Sequence, residues 1–217
     1  MKNKIFITVI VVLAIAAAAV WYFVFFSVKP VPEGALKTSN TTVDEKKQKP
    51  ASDNIYANLK GDAFDEAYIA DMLAHHEGAL NMSEQAIAAT THEEIRTLAS
   101  NIIQSQSAEL MKMRTWQKEW GYKETMGGGH GSHGGVGMDM GGDMLEMQNK
   151  LQGLTGEEYD KEFLKQMIVH HEQAVEMSKY AAANAKHQEI KDLASAIISA
   201  QTTEINQMKQ WQKQWGY

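Results

Sequence analysis

Residues 62–89 read DAFDEAYIADMLAHHEGALNMSEQAIAA, and 95 positions later residues 157–184 read EEYDKEFLKQMIVHHEQAVEMSKYAAAN. The same offset holds without a gap from Asp62 to Tyr122 against Glu157 to Tyr217, with 27 of the 61 positions identical. A gapless repeat of this length marks a duplicated unit of supersecondary structure. In the first copy Phe64, Tyr68, Met72, His75 or His76, Ala79 and Met82 recur at spacings of three and four, which places them on one face of a helix. Thr91 with Glu94 three residues on has the form of a capping box and predicts a second helix start. From there Ile95, Leu98, Ile102, Gln106, Glu109, Met113, Trp116 and Trp120 keep helical spacing until Gly121 stops the run. In the second copy Lys186 stands where Thr91 did, which predicts a weaker or shifted cap. Each copy therefore reads as a helical hairpin, residues 61–122 and 154–217. Two hairpins that bury their apolar faces against each other predict an all-α four-helix bundle.

Outside the repeat the chain changes character. Ile5 to Val28 is 24 residues without a charge, roughly 36 Å as a helix against a hydrocarbon core of about 30 Å. Lys2 and Lys4 precede it, and short basic ends stay cytoplasmic. Residues 1–28 are thus expected to be a single-pass transmembrane anchor in the inner membrane, with the remainder periplasmic or extracellular. A cleaved signal peptide ending near Ala17-Ala18-Ala19 is the rival reading, and it exports the domain equally. Residues 29–60, which hold Pro30, Pro32 and Pro50, read as a solvated linker. Between the copies, residues 123–153 include MGGGHGSHGGVGMDMGGDMLEM (126–147), read as a flexible tether because glycine at this density resists regular structure.

Composition narrows the chemistry. A net charge of -6 without a basic patch excludes a nucleic-acid partner. With no cysteine, neither disulfides nor thiolate sites are available, so the 13 methionines and 8 histidines are the soft ligands. His76 and Gln106 lie 15 residues either side of Thr91, hence at one height in an antiparallel pair. The expected cluster is Met72, His75, His76, Gln106, Glu109 and Met113, with Met167, His170, His171, Gln201, Glu204 and Met208 as its counterpart. A carboxylate on an otherwise apolar stripe needs a partner, and imidazolium or a metal ion are the local candidates. Thioether favours copper(I), and silver by the same chemistry; imidazole also admits copper(II) and zinc. His130, His133, Met138 and Met140 of the tether are expected to capture soft cations as well. Trp116, Trp120, Trp211 and Trp215 predict an aromatic plug at the bundle end. His92 and His187, at the second helix starts, are surface residues or ligands.

The pattern Met72-x-x-His75-His76-x5-Met82 with Gln106-x-x-Glu109-x3-Met113-x2-Trp116, repeated from Met167 through Met177 to Trp211, resembles the domain-of-unknown-function family numbered 305. That resemblance covers Asp62 to Tyr217 apart from the tether. It implies a ferritin-like bundle, export, and copper binding at the matching His and Met positions, Met82 and Met177 included. The expected role is extracytoplasmic copper sequestration or delivery in copper resistance, without catalysis, involving unidentified copper-trafficking partners. Two rivals stand beside it. One is a ferritin-like metal oxidase, for which neither repeat carries a Glu-x-x-His motif. The other is a structural or partner-binding module whose His and Glu fix helix register.

Overall fold

A computed structural model describes residues 54–123 and 140–217, with residues 140 and 141 described by their backbone alone. The segment read as a membrane anchor, most of the linker, and His130, His133 and Met138 lie outside these residues, as does the Met140 side chain. The elements are helices α1 (Ile55–Asn58), α2 (Asp62–Ala89), α3 (Glu93–Glu119), α4 (Met140–Leu151), α5 (Gly156–Ser178), α6 (Ala181–Asn184) and α7 (Gln188–Trp215). Among the described residues no helix is long and apolar enough to cross a membrane.

The first hairpin is α2 on α3 and the second is α5 on α7, and the two meet through α2 and α5. Those inner helices run antiparallel: the Tyr68 hydroxyl meets Ser178 Oγ at 2.8 Å, and at the other end the Tyr159 hydroxyl donates to the Met82 carbonyl at 3.1 Å. The repeat offset relates one end to the other, which gives the molecule an internal pseudo-twofold axis. Two apolar clusters follow from this crossing. One joins Phe64, Tyr68, Met72 and Met113 to Met177, Ile190, Leu193 and Ile197. Its counterpart joins Tyr159, Phe163, Met167 and Met208 to Met82, Ile95, Leu98 and Ile102. The buried His75, His76, His170 and His171 lie between them, at mid-height. Equivalence breaks where a hydroxyl is missing. Phe163 stands at the repeat position of Tyr68, so Ser83, the counterpart of Ser178, has no hydrogen-bond partner.

The second helix starts differ from the capping box expected at Thr91. The N-cap is His92, and the Thr91 side chain instead donates to Asp160 at 2.7 Å, with Thr90 bonded to the same carboxylate. On the other side Asp65 accepts the backbone N–H groups of Lys186 (3.1 Å) and His187 (3.0 Å). Each hairpin's first helix thus caps the turn of the other hairpin. A fully buried carboxylate satisfied by backbone donors explains why an acidic residue is tolerated beside Phe64 and Tyr159. Gly121 (φ 71°) and Gly216 (φ 76°) end α3 and α7 in the left-handed conformation that glycine adopts without a Cβ penalty. In the second copy the first helix stops at Ser178, and α6 continues after a break.

Residues 140–151, part of the segment read as a flexible tether, form α4, which packs on α2 and α5. Met144, Met147 and Leu151 fall at spacings of three and four, and this stripe is buried. Glycine crowding masked a short amphipathic helix whose stability comes from docking rather than propensity.

Candidate metal centre

Four imidazoles line up at mid-height. The rings of His75 and His170 lie 3.5 Å apart between centroids, with His76 6.2 Å beyond His75 and His171 5.8 Å beyond His170. All four side chains are fully buried. Adjacent histidines on a helix diverge by about 100°, so one of each pair faces the opposite hairpin while its neighbour turns toward its own second helix. His76 Nε2 meets Glu109 at 2.6 Å and His171 Nε2 meets Glu204 at 2.7 Å. The sequence placed Gln106 and Glu109 near this level; the structure gives the bond to Glu109.

Because a carboxylate or carbonyl oxygen accepts, each of these contacts places a hydrogen on Nε2. His76 and His171 donate from Nε2 to their glutamates, and His170 donates from Nε2 to the His75 carbonyl at 2.9 Å. The Nδ1 atoms of all four imidazoles have no hydrogen-bond partner. Gln106 and Gln201, one turn before Glu109 and Glu204, each bury an unpartnered carbonyl oxygen. Burial, reinforced by the neighbouring imidazoles, holds the His75 and His170 pKa values well below the ordinary histidine range. Both rings are neutral near pH 7, the form that binds metal. Met72, Met82, Met113, Met167, Met177 and Met208 are all fully buried in the flanking clusters.

An imidazole that donates one N–H to a carboxylate while its second nitrogen stays unsatisfied inside the protein is the arrangement that orients a metal-bound histidine. The donor set suits a soft or borderline ion. Among the described residues no three His, Cys, Asp or Glu side chains are grouped closely enough to hold a metal by themselves.

His92 and His187 are neither freely exposed nor part of this row. His187 stacks on Trp120 (3.8 Å, 3°) and bonds Asp65 at 2.7 Å; His92 stacks on Trp215 (3.8 Å, 11°) and contacts the Tyr217 hydroxyl at 3.1 Å. Trp116 and Trp120 stack together, as do Trp211 and Trp215, so the expected plug forms at both ends of the molecule with a histidine built in. Sequence reading missed Asp65, Asp160, Met144 and Met147. The identity of the two aspartates between copies was an available signal, and so was the Met144–Met147 spacing.

An all-helical, pseudo-twofold protein enclosing a row of imidazoles between methionine-rich clusters is the class that this fold and centre define. Residues 65–212 match the family described as Domain of unknown function (DUF305), and the chain belongs to it. It is similar to CopM, solved in a Cu(I)-bound form (33% identity, TM-score 0.57, 70% of this chain and 96% of that one) and an Ag-bound form (32%, 0.56, 70% and 96%). A DUF305 protein from Streptomyces coelicolor is 26% identical, with a TM-score of 0.61 over 76% of this chain and 96% of that one. An uncharacterized protein of Acanthamoeba polyphaga mimivirus is 47% identical over 49 residues, 23% of this chain. The match spans about a third of that viral relative, 32% of its length.

Proposed function

We propose that this protein is an extracytoplasmic copper-binding protein, able to take silver by the same chemistry, that sequesters or delivers the ion without catalysing a reaction on it. The carrying observation is the row of buried imidazoles whose Nδ1 atoms find no hydrogen-bond partner in the protein. An unsatisfied buried polar atom costs about 1–3 kcal/mol, and several at one level are a standing penalty that a bound cation removes. Met72, Met113, Met167 and Met208 supply the soft ligands that favour copper(I) over zinc, and Met82 and Met177 flank them. Similarity to CopM, solved with Cu(I), Cu(II) and Ag, supports the same cargo. Residues 1–28 anchor the chain in the inner membrane, and His130, His133, Met138 and Met140 collect further ions.

Titration with copper(I) against a competing chelator, with X-ray absorption at the copper edge, tests the reading. Nitrogen and sulfur scatterers and an affinity tighter than micromolar are expected. Binding weaker than micromolar, or a shell of oxygen alone, would remove it.

A further inference from the structure

The two copies differ where α4 crosses them. Gly78 lies one turn beyond His75, and its repeat equivalent, Gln173, lies one turn beyond His170. A Cβ at position 78 would stand 2.7 Å from Met144 Sδ and 2.8 Å from its Cγ, so this side chain rests directly on the α2 backbone. Alongside it Gln173 Nε2 donates to Asp143 Oδ2 at 3.2 Å. Consecutive residues of α4 thus touch α2 one turn after His75 and α5 one turn after His170. Met144 is 5% exposed. Met82 and Met167 share its apolar cluster, whereas the pseudo-symmetric cluster has no α4 methionine.

We propose that Met144 is a further thioether ligand of the ion held by His75 and His170, delivered by α4 and seated by Gly78. The inference rests on the copper reading and deepens it. Any larger residue at position 78 closes the seat, while the unbranched methionine chain has the rotatable bonds to swing its sulfur toward an ion beside His75. His75 and His170 each bury an Nδ1 without a hydrogen-bond partner, and α4 brings a soft donor to one side only of that pair. The asymmetry has a chemical meaning: the ion sits off the pseudo-twofold axis, on the α4 side.

Silver(I), free of redox chemistry, is the probe for affinity, and copper(I) the probe for coordination, both with the full chain. Met144→Leu keeps the volume and removes the sulfur. Its metal-free melting temperature should match the unaltered protein, its silver affinity should fall at least about tenfold, and the copper-edge spectrum should lose sulfur scattering while retaining nitrogen. Gly78→Ala, which displaces the thioether without deleting it, should lower silver affinity in the same direction. Unchanged affinity and sulfur scattering in Met144→Leu overturn the ligand assignment alone. Failure of the unaltered protein to bind silver or copper(I) overturns the copper reading and this inference with it.

Discussion

At the scale of the residue, His75 and His170 set stability against function. Each ring buries an Nδ1 without a partner, a cost that an apolar side chain removes, whereas losing the His170 ring also strands the His75 carbonyl. His75→Leu with His170→Leu is therefore expected to leave the metal-free fold intact, with the two effects offsetting to within about 1 kcal/mol of unfolding free energy, while copper(I) affinity collapses. A large loss of stability instead would mark the row as a register-fixing network. The same rings impose a pH dependence. Folded, both bind fewer protons near pH 6 than in the unfolded chain, where the ordinary value of about 6.5 applies. Metal-free stability is full above that value and falls below it by about 1.4 kcal/mol per pH unit for each ring. Urea midpoints at pH 7.5 and 5.5 should separate accordingly, and the double leucine variant should flatten the profile.

At the scale of the element, the long helices were legible because period and punctuation agree. The stripe from Phe64 to Met82 defines α2, and Gly121 ends the α3 hairpin arm in a positive φ. His76 and Glu109 were also legible as neighbours, since both lie on facing stripes of one hairpin. What the period does not encode is contact between hairpins. Nothing in the spacing places His75 on His170, or Asp160 on the turn at Thr90 and Thr91, because such contacts depend on how two finished hairpins cross. The helix α4 was hidden for another reason: its stripe is a single one, and it needs Gly78 to dock. Gly78→Ala gains about 1 kcal/mol of helix propensity but meets Met144 at overpacking distance, a cost of about 1–3 kcal/mol. The single substitution should destabilise, and adding Met144→Ala should recover part of the loss by relieving the clash. A double-mutant cycle in urea checks this, with additive effects as the contrary result.

At the scale of the whole molecule, the reciprocal aspartates bind the two hairpins into one cooperative unit. Asp65→Ala strands the backbone donors of Lys186 and His187 along with the His187 ring, and Asp160→Ala strands the Thr91 backbone N–H and the Thr90 and Thr91 hydroxyls. Hydrogen bonds to a charged group contribute about 1.5–3 kcal/mol, so either substitution should lower stability by at least about 2 kcal/mol. Calorimetry should still show one transition, because each carboxylate ties together halves that share a core. Two resolved transitions would mean that the hairpins melt independently.

The mutual capping also bears on the independence of the halves. A lone hairpin of this sequence carries an aspartate with no turn to cap and a turn with no aspartate, and a second hairpin satisfies both at once. Were the two hairpins identical copies, the two sides of the imidazole row would be the same by symmetry. Covalent linkage lifts that constraint: glycine stands at position 78 and glutamine at position 173, so α4 has a single face on which to land.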